Sequence, residues 1–120
     1  MRLSGRVIGM GIEVHRQLGP GLLESAYEEC LCYGLAQAGV GFARQVALPI
    51  VYKGQRLALE YRMDMVVEPG LVLEIKSVEQ LAPIHEAQLL TYLRLSGHRV
   101  GLLMNFNTAV LKDGIRRRVL

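Results

Sequence analysis

Aspartate is scarce in this 120-residue chain, which has only Asp64 and Asp113, and lysine is nearly as scarce, with only Lys53, Lys76 and Lys112. Three of these rare types or their glutamate equivalents fall close together: Asp64, then Glu74-Ile75-Lys76. They lie on two stretches with strand-type composition, 56–67 and 71–78, around the breaker Glu68-Pro69-Gly70. In a hairpin symmetric about Pro69, residues equidistant from it face each other. One face then carries Tyr61, Met63, Met65, Val67, Leu71, Leu73, Ile75 and Ser77, a core face. The other sets Glu60, Arg62, Asp64 and Val66 against Val78, Lys76, Glu74 and Val72. Asp64 thus faces Glu74, and Arg62 faces Lys76. Directly opposed side chains have Cβ atoms about 4.5–5.5 Å apart, and like charges there destabilise a sheet.

A divalent cation would compensate the carboxylate pair. Mg²⁺ takes oxygen ligands, commonly one or two carboxylates with waters and a substrate phosphate. Glu74 and Lys76 are two apart on one strand and share a face. An ammonium would therefore stand beside a water whose pKa the cation lowers, able to orient it or to stabilise charge forming on phosphate. That chemistry suits phosphodiester hydrolysis. The competing reading is a solvated outer face with diagonal salt bridges, each contributing about 0–1 kcal/mol. The apolar opposite face and the helical patterns on either side of these strands weigh against it.

Two helical segments carry further polar intrusions. In 83–96, His85, Gln88 and Tyr92 lie within about 60° of one another on a helical wheel. Such a stripe can bring an amide and a phenol to a phosphate or water; it is equally the pattern of an ordinary boundary stripe. In 22–38, Glu24 shares a stripe with Leu31, Leu35 and Ala38, so it should point toward the core, where a buried carboxylate needs a partner. Metal ligation would supply one, and a first-turn position at the helix start is the rival account. Glu28 and Tyr27 read as packing and pairing residues, and His15 as no ligand. Cys30 and Cys32 diverge by about 200° on a helix, so they neither bridge nor share a metal. Arg116-Arg117-Arg118 alternates in direction on a strand, forming a phosphate-attracting edge at most.

The elements that must position these residues follow from periodicity. Val7, Met10, Gly11, Val14 and Leu18 predict a helix over 5–18, stopped by Gly19-Pro20-Gly21, with the second helix over 22–38. A strand over 44–52 contains Pro49, which belongs at an edge or bulge. Lys53-Gly54-Gln55 turns into the two strands already named. The helix 83–96 opens at Pro83 and closes at Gly97, and 98–105 reads as a strand. Asp113-Gly114 predicts a hairpin between 109–112 and 115–119. The order is ααβββαβ plus a short terminal hairpin: an α/β (α+β) domain, 1–120, with a central sheet. Hydrophobic residues make up 51% and charged residues 21%, with mean hydropathy +0.25, which excludes a disordered chain. No apolar run approaches the roughly 18 residues of a membrane span, and no signal-type stretch follows Met1, so a cytoplasmic protein is expected. The net charge of +3 alone does not identify a nucleic-acid partner.

Asp64 and Glu74-Ile75-Lys76 resemble the Asp…(Asp/Glu)-x-Lys core of the PD-(D/E)xK nuclease superfamily. Gln88-x-x-x-Tyr92 is similar to the accessory motif of its exonuclease-like branch. Gly21-Leu22-Leu23-Glu24-Ser25-Ala26-Tyr27 reads as G-x-x-E-x-x-Y, the signature of the small bacterial GxxExxY proteins. Leu18-Gly19-Pro20-Gly21, Tyr61-Arg62-Met63-Asp64 and Gly101-Leu102-Leu103-Met104-Asn105-Phe106 also resemble that family. Met63 stands where the superfamily's name has proline. The resemblance implies a restriction-endonuclease-like core. It also implies metal ligation by Asp64 and Glu74 with the Ile75 carbonyl as a third ligand, and Lys76 as the catalytic lysine. Glu24 would be the helix carboxylate near the metal, and Gln88 and Tyr92 would position substrate or water.

The expected function is therefore a Mg²⁺- or Mn²⁺-dependent nuclease acting on DNA ahead of RNA, with target choice supplied by a partner, a homodimer or nucleic-acid shape. The alternative is a catalytically inactive nucleic-acid-binding or assembly module on the same fold. A third reading is hydrolysis of another phosphoester.

Overall fold

A computed structural model describes residues 2–120. Helices α1 (Leu3–Leu18) and α2 (Glu24–Gln37) precede strands β1 (Phe42–Tyr52), β2 (Gln55–Val67) and β3 (Leu71–Lys76). Helix α3 (Pro83–Ser96), strand β4 (Val100–Asn105), a 3₁₀ turn Leu111–Gly114 and strand β5 (Ile115–Val119) complete the described chain. Helix α1 buries Ser4, Val7, Gly11 and His15, one stripe at three- and four-residue steps. Helix α3 begins with Pro83 and ends on Gly97 in the left-handed conformation (φ 82°), whose amide donates to the Leu93 carbonyl.

The five strands form one mixed sheet in the order β1-β2-β3-β4-β5. Neighbours are antiparallel except β3 and β4, which run parallel and are connected through α3. Helices cover both faces. Val7 of α1 and Tyr27 and Leu31 of α2 form one core with Met65, Leu73, Met104 and Phe106; Leu89 and Leu93 of α3 form the other with Leu48, Met63, Val72 and Leu103. Residues Leu71 to Ile75 are all buried, as expected of a strand covered on both sides. Burying β3 on both faces is what puts Glu74 inside the protein.

The hairpin about Pro69 has the expected register at Met65–Leu73, Val66–Val72 and Val67–Leu71. The ladder then ends. Arg62 does not oppose Lys76: it sits across β1 from Ala47 and donates to the Gln45 carbonyl at 3.1 Å. The supposed single core face is not continuous either, since Tyr61 is exposed and Met63 joins the α3-side core while Met65 joins the other. Pro49 behaves as expected, on an edge strand beside a register shift between Pro49 and Val51. The predicted terminal hairpin does not form. Residues 111–114 make a 3₁₀ turn, and β5 pairs antiparallel with β4. Gly114 packs directly on the Asn105 carbonyl, where a Cβ would collide. This glycine serves close backbone approach, not a hairpin turn.

Candidate active site

Asp64 and Glu74 meet where β2 and β3 separate. Each carboxylate takes the place that a backbone partner would hold in a continuing ladder. The Asp64 amide donates to Glu74 Oε2 at 2.9 Å, and the Ile75 amide donates to Asp64 Oδ2 at 2.8 Å. The two acids are thus interlocked through main-chain bonds, leaving one oxygen of each, Asp64 Oδ1 and Glu74 Oε1, without a donor among the described residues. Glu74 is 3% exposed. Burial, reinforced by the neighbouring Asp64 charge, pushes its carboxyl up to about 8, against the Asp64 amide and Lys76, which favour ionisation. Burial also raises Asp64, partly offset by the Ile75 amide and Lys76.

Lys76 ends β3 beside this pair and is half-buried. Tyr92 is buried in the α3-side core, and its phenol is pushed up by burial first and by Glu74 and Asp64 next, which places it in their field. Gln88, one turn earlier, is half-buried, and its side chain makes no hydrogen bond among the described residues. His85 is accounted for locally: its Nδ1 accepts from the Ala82 amide at 2.9 Å, capping α3. His15 Nε2 contacts the Thr108 carbonyl at 2.8 Å and stands away from the acids' hydrogen bonds. Both cysteines are free.

The G-x-x-E-x-x-Y segment is a clamp on the cleft wall. Gly21 adopts φ 101°, a conformation costly to other residues. Buried Tyr27 stacks on Phe106 with ring centroids 4.4 Å apart. Its hydroxyl donates to the Gly19 carbonyl at 2.7 Å and accepts from the Leu22 amide at 3.1 Å. The loop so held returns to the end of β3, where Ser77 Oγ donates to the Leu22 carbonyl at 2.6 Å and the Ser77 amide donates to Glu24 Oε2 at 3.2 Å. Glu24 does not point into the core as its stripe predicts: as the first residue of α2 it is exposed at the open end of the helix, where it lines the same cleft as Asp64. Glu28, one turn along, is buried and committed: Arg44 donates twice to its Oε2 (2.8 and 3.0 Å), and Gln45 Nε2 donates to Oε1 at 3.0 Å.

Two supports escaped the sequence reading. Asn105 is 1% exposed, and its amide brackets Val78, accepting from the nitrogen and donating to the carbonyl, both at 3.0 Å. This fixes the chain leaving Lys76. Its signals were a polar residue ending an apolar strand and its place in the 101–106 phrase, neither of which gave it a role. Gln45 is the other, with no signal in its type.

The cleft holds about 580 Å³ and is lined by Leu22, Leu23, Glu24, Ser25, Glu28, Gln45, Asp64 and Ser77. Among the described residues, no three His, Cys, Asp or Glu side chains converge closely enough to hold a metal ion by themselves. The oxygen pair fits a hard cation that keeps part of its hydration shell, and two acids held above their usual range are the groups such a charge would relieve. The arginines of β5 are engaged elsewhere: Arg118 pairs with Glu86, Arg117 Nε donates to Ser4 Oγ, and Arg116 donates to nearby carbonyls.

A mixed five-stranded sheet between helices, with aspartate on one central strand and Glu-x-Lys on the next, defines a nuclease-like α/β class. A family model of the PD-(D/E)XK nuclease superfamily matches residues 1–118, and the chain belongs to that superfamily. No curated protein and no solved structure matches it. No helix among the described residues is long and apolar enough to cross a membrane.

Proposed function

We propose that the protein is a Mg²⁺- or Mn²⁺-dependent nuclease of the GxxExxY type that hydrolyses phosphodiester bonds in DNA. The observation that carries this is the interlock of Asp64 and Glu74, two carboxyls held side by side at a real cost in ionisation, next to a lysine. Asp64 and Glu74 would hold the cation, with the Ile75 carbonyl as a third ligand and Glu24 acting on its hydration shell from α2. When bound, the cation neutralises phosphate charge and lowers the pKa of water. Lys76 orients the attacking water and stabilises charge developing on the phosphate. The water oxygen forms the new bond to phosphorus and gives up a proton to solvent, while the bond from phosphorus to the bridging ester oxygen breaks in line and that oxygen takes a proton from solvent. Gln88 and Tyr92 position water or substrate from α3.

Plasmid nicking and oligonucleotide cleavage with Mg²⁺, Mn²⁺ or EDTA test this. Cleavage requires the cation, and Glu74→Ala and Lys76→Ala each reduce it on the order of 10²–10³-fold. DNA binding without cleavage in the wild type would instead identify a non-catalytic module. Cleavage that survives Glu74→Ala would place the activity elsewhere.

A further inference from the structure

We propose that Gln45 is a positioning residue for Asp64, acting through a left-handed backbone unit that turns the β1–β2 ribbon over at the acid. The inference rests on the reading of Asp64 as a site residue, and its test does not require cleavage. Gln45 has φ 49°, a region that residues with a side chain rarely adopt and that is unexpected inside a strand. The other such residue among those described, Lys53 (φ 50°), sits in a two-residue hairpin turn with Gly54, where the conformation is required. Gln45 has no turn to explain it.

What it accomplishes is visible in the ladder. Arg44 pairs with Met65 and Val46 with Met63, so Gln45 falls opposite Asp64. A regular strand keeps every second residue on one face. Here Phe42 and Met65 pack into the core under α1 and α2, whereas Val46, Leu48 and Met63 pack into the core under α3. Both strands change faces across Gln45 and Asp64. The change is anchored from three directions: Gln45 Nε2 bonds Glu28, its carbonyl accepts from Arg62, and the adjacent Arg44 is paired with the same Glu28. Immediately beyond, the β2–β3 ladder ends, and the Asp64 carboxylate takes the Ile75 amide. The twist of β1 is what releases β2 from β3 at that point.

The Ile75 amide reports the outcome directly, because Asp64 is its acceptor. Amide hydrogen exchange is followed in the wild type, Gln45→Gly, Gln45→Val and, as benchmark, Asp64→Ala, with the Val72 amide of the same strand as internal control. Gln45→Gly accepts the left-handed conformation and keeps the Arg62 and Arg44–Glu28 anchors while losing the Nε2 contact, so its Ile75 protection and its Mn²⁺ concentration for half-maximal thermal stabilisation stay within about twofold of wild type. Gln45→Val resists it, so Ile75 exchanges about tenfold faster, toward the benchmark, and the Mn²⁺ midpoint rises by about as much, while Val72 is unchanged. Gln45→Thr, which is likewise β-branched and so resists the left-handed conformation, substitutes for valine if that variant does not fold. Unchanged Ile75 protection in the valine or threonine variant overturns the proposal, as does a glycine variant as damaged as either. If the wild type fails to cleave DNA while these shifts occur, the nuclease reading falls and the positioning role stands.

Discussion

Glu74 keeps its proton in the folded chain at pH values where an unfolded glutamate has released it, since its pKa rises from 4.5 to about 8. Below about pH 4.5 both states are protonated and this contribution to stability is fully present. As pH rises toward 8 the unfolded state ionises first, so stability falls by up to about 1.4 kcal/mol per pH unit for one group, and Asp64 shifts in the same direction. Urea denaturation in EDTA should show a lower midpoint at pH 8 than at pH 5.5, with the difference flattened in Glu74→Gln. Mn²⁺ should restore stability at pH 8, by about 2.7 kcal/mol at a hundredfold excess over its Kd. The meeting of these two acids was legible because equidistance from Pro69 gives the true register at Val67–Leu71, Val66–Val72 and Met65–Leu73. Arg62 was misplaced because side-chain alternation does not encode where two strands part. Gln45 was invisible for a related reason: a left-handed conformation is legible at glycine or asparagine, and glutamine gives no such sign.

The loop before α2 shows how one element serves another. Tyr27→Phe keeps the stacking on Phe106 but strands the Gly19 carbonyl and the Leu22 amide, both satisfied by the lost hydroxyl. The cost should be about 1–3 kcal/mol, read as a lower thermal midpoint. Because Leu22 in turn accepts from Ser77, cleavage should fall by more than the loss of folded protein explains, measured as kcat on the folded fraction. A tyrosine at this spacing was readable as a packing residue, but its two backbone partners depend on a loop path that periodicity does not describe. The C-terminal elements were misread for a more specific reason. Asp113-Gly114 has the composition of a hairpin turn, yet Gly114 is needed for contact with the Asn105 backbone, and the two demands are indistinguishable in sequence. Helix α3 was legible at both ends because Pro83 and Gly97 each satisfy a purely local requirement.

Across the whole molecule, the layered arrangement followed from an apolar strand, a helix and a second apolar strand, which form the parallel pair at the centre of the sheet. Residues 2–4 and 117–120 lie on one side of this framework: Ser4 of α1 accepts from Arg117 of β5 at 3.2 Å, and Arg2 shares a cavity with Arg99, whose carbonyl accepts from the Leu120 amide. The far tip of the β1–β2 ribbon, Lys53-Gly54, is exposed and distant in the ladder from the Asp64–Glu74 interlock. A circular permutant that joins residue 120 to residue 2 through a short glycine-rich linker and opens the chain between Lys53 and Gly54 should fold and retain the Mn²⁺-induced thermal shift of the parent. The order in which the segments are synthesised would then be free to vary, while the spatial neighbours of the two acids stay the same.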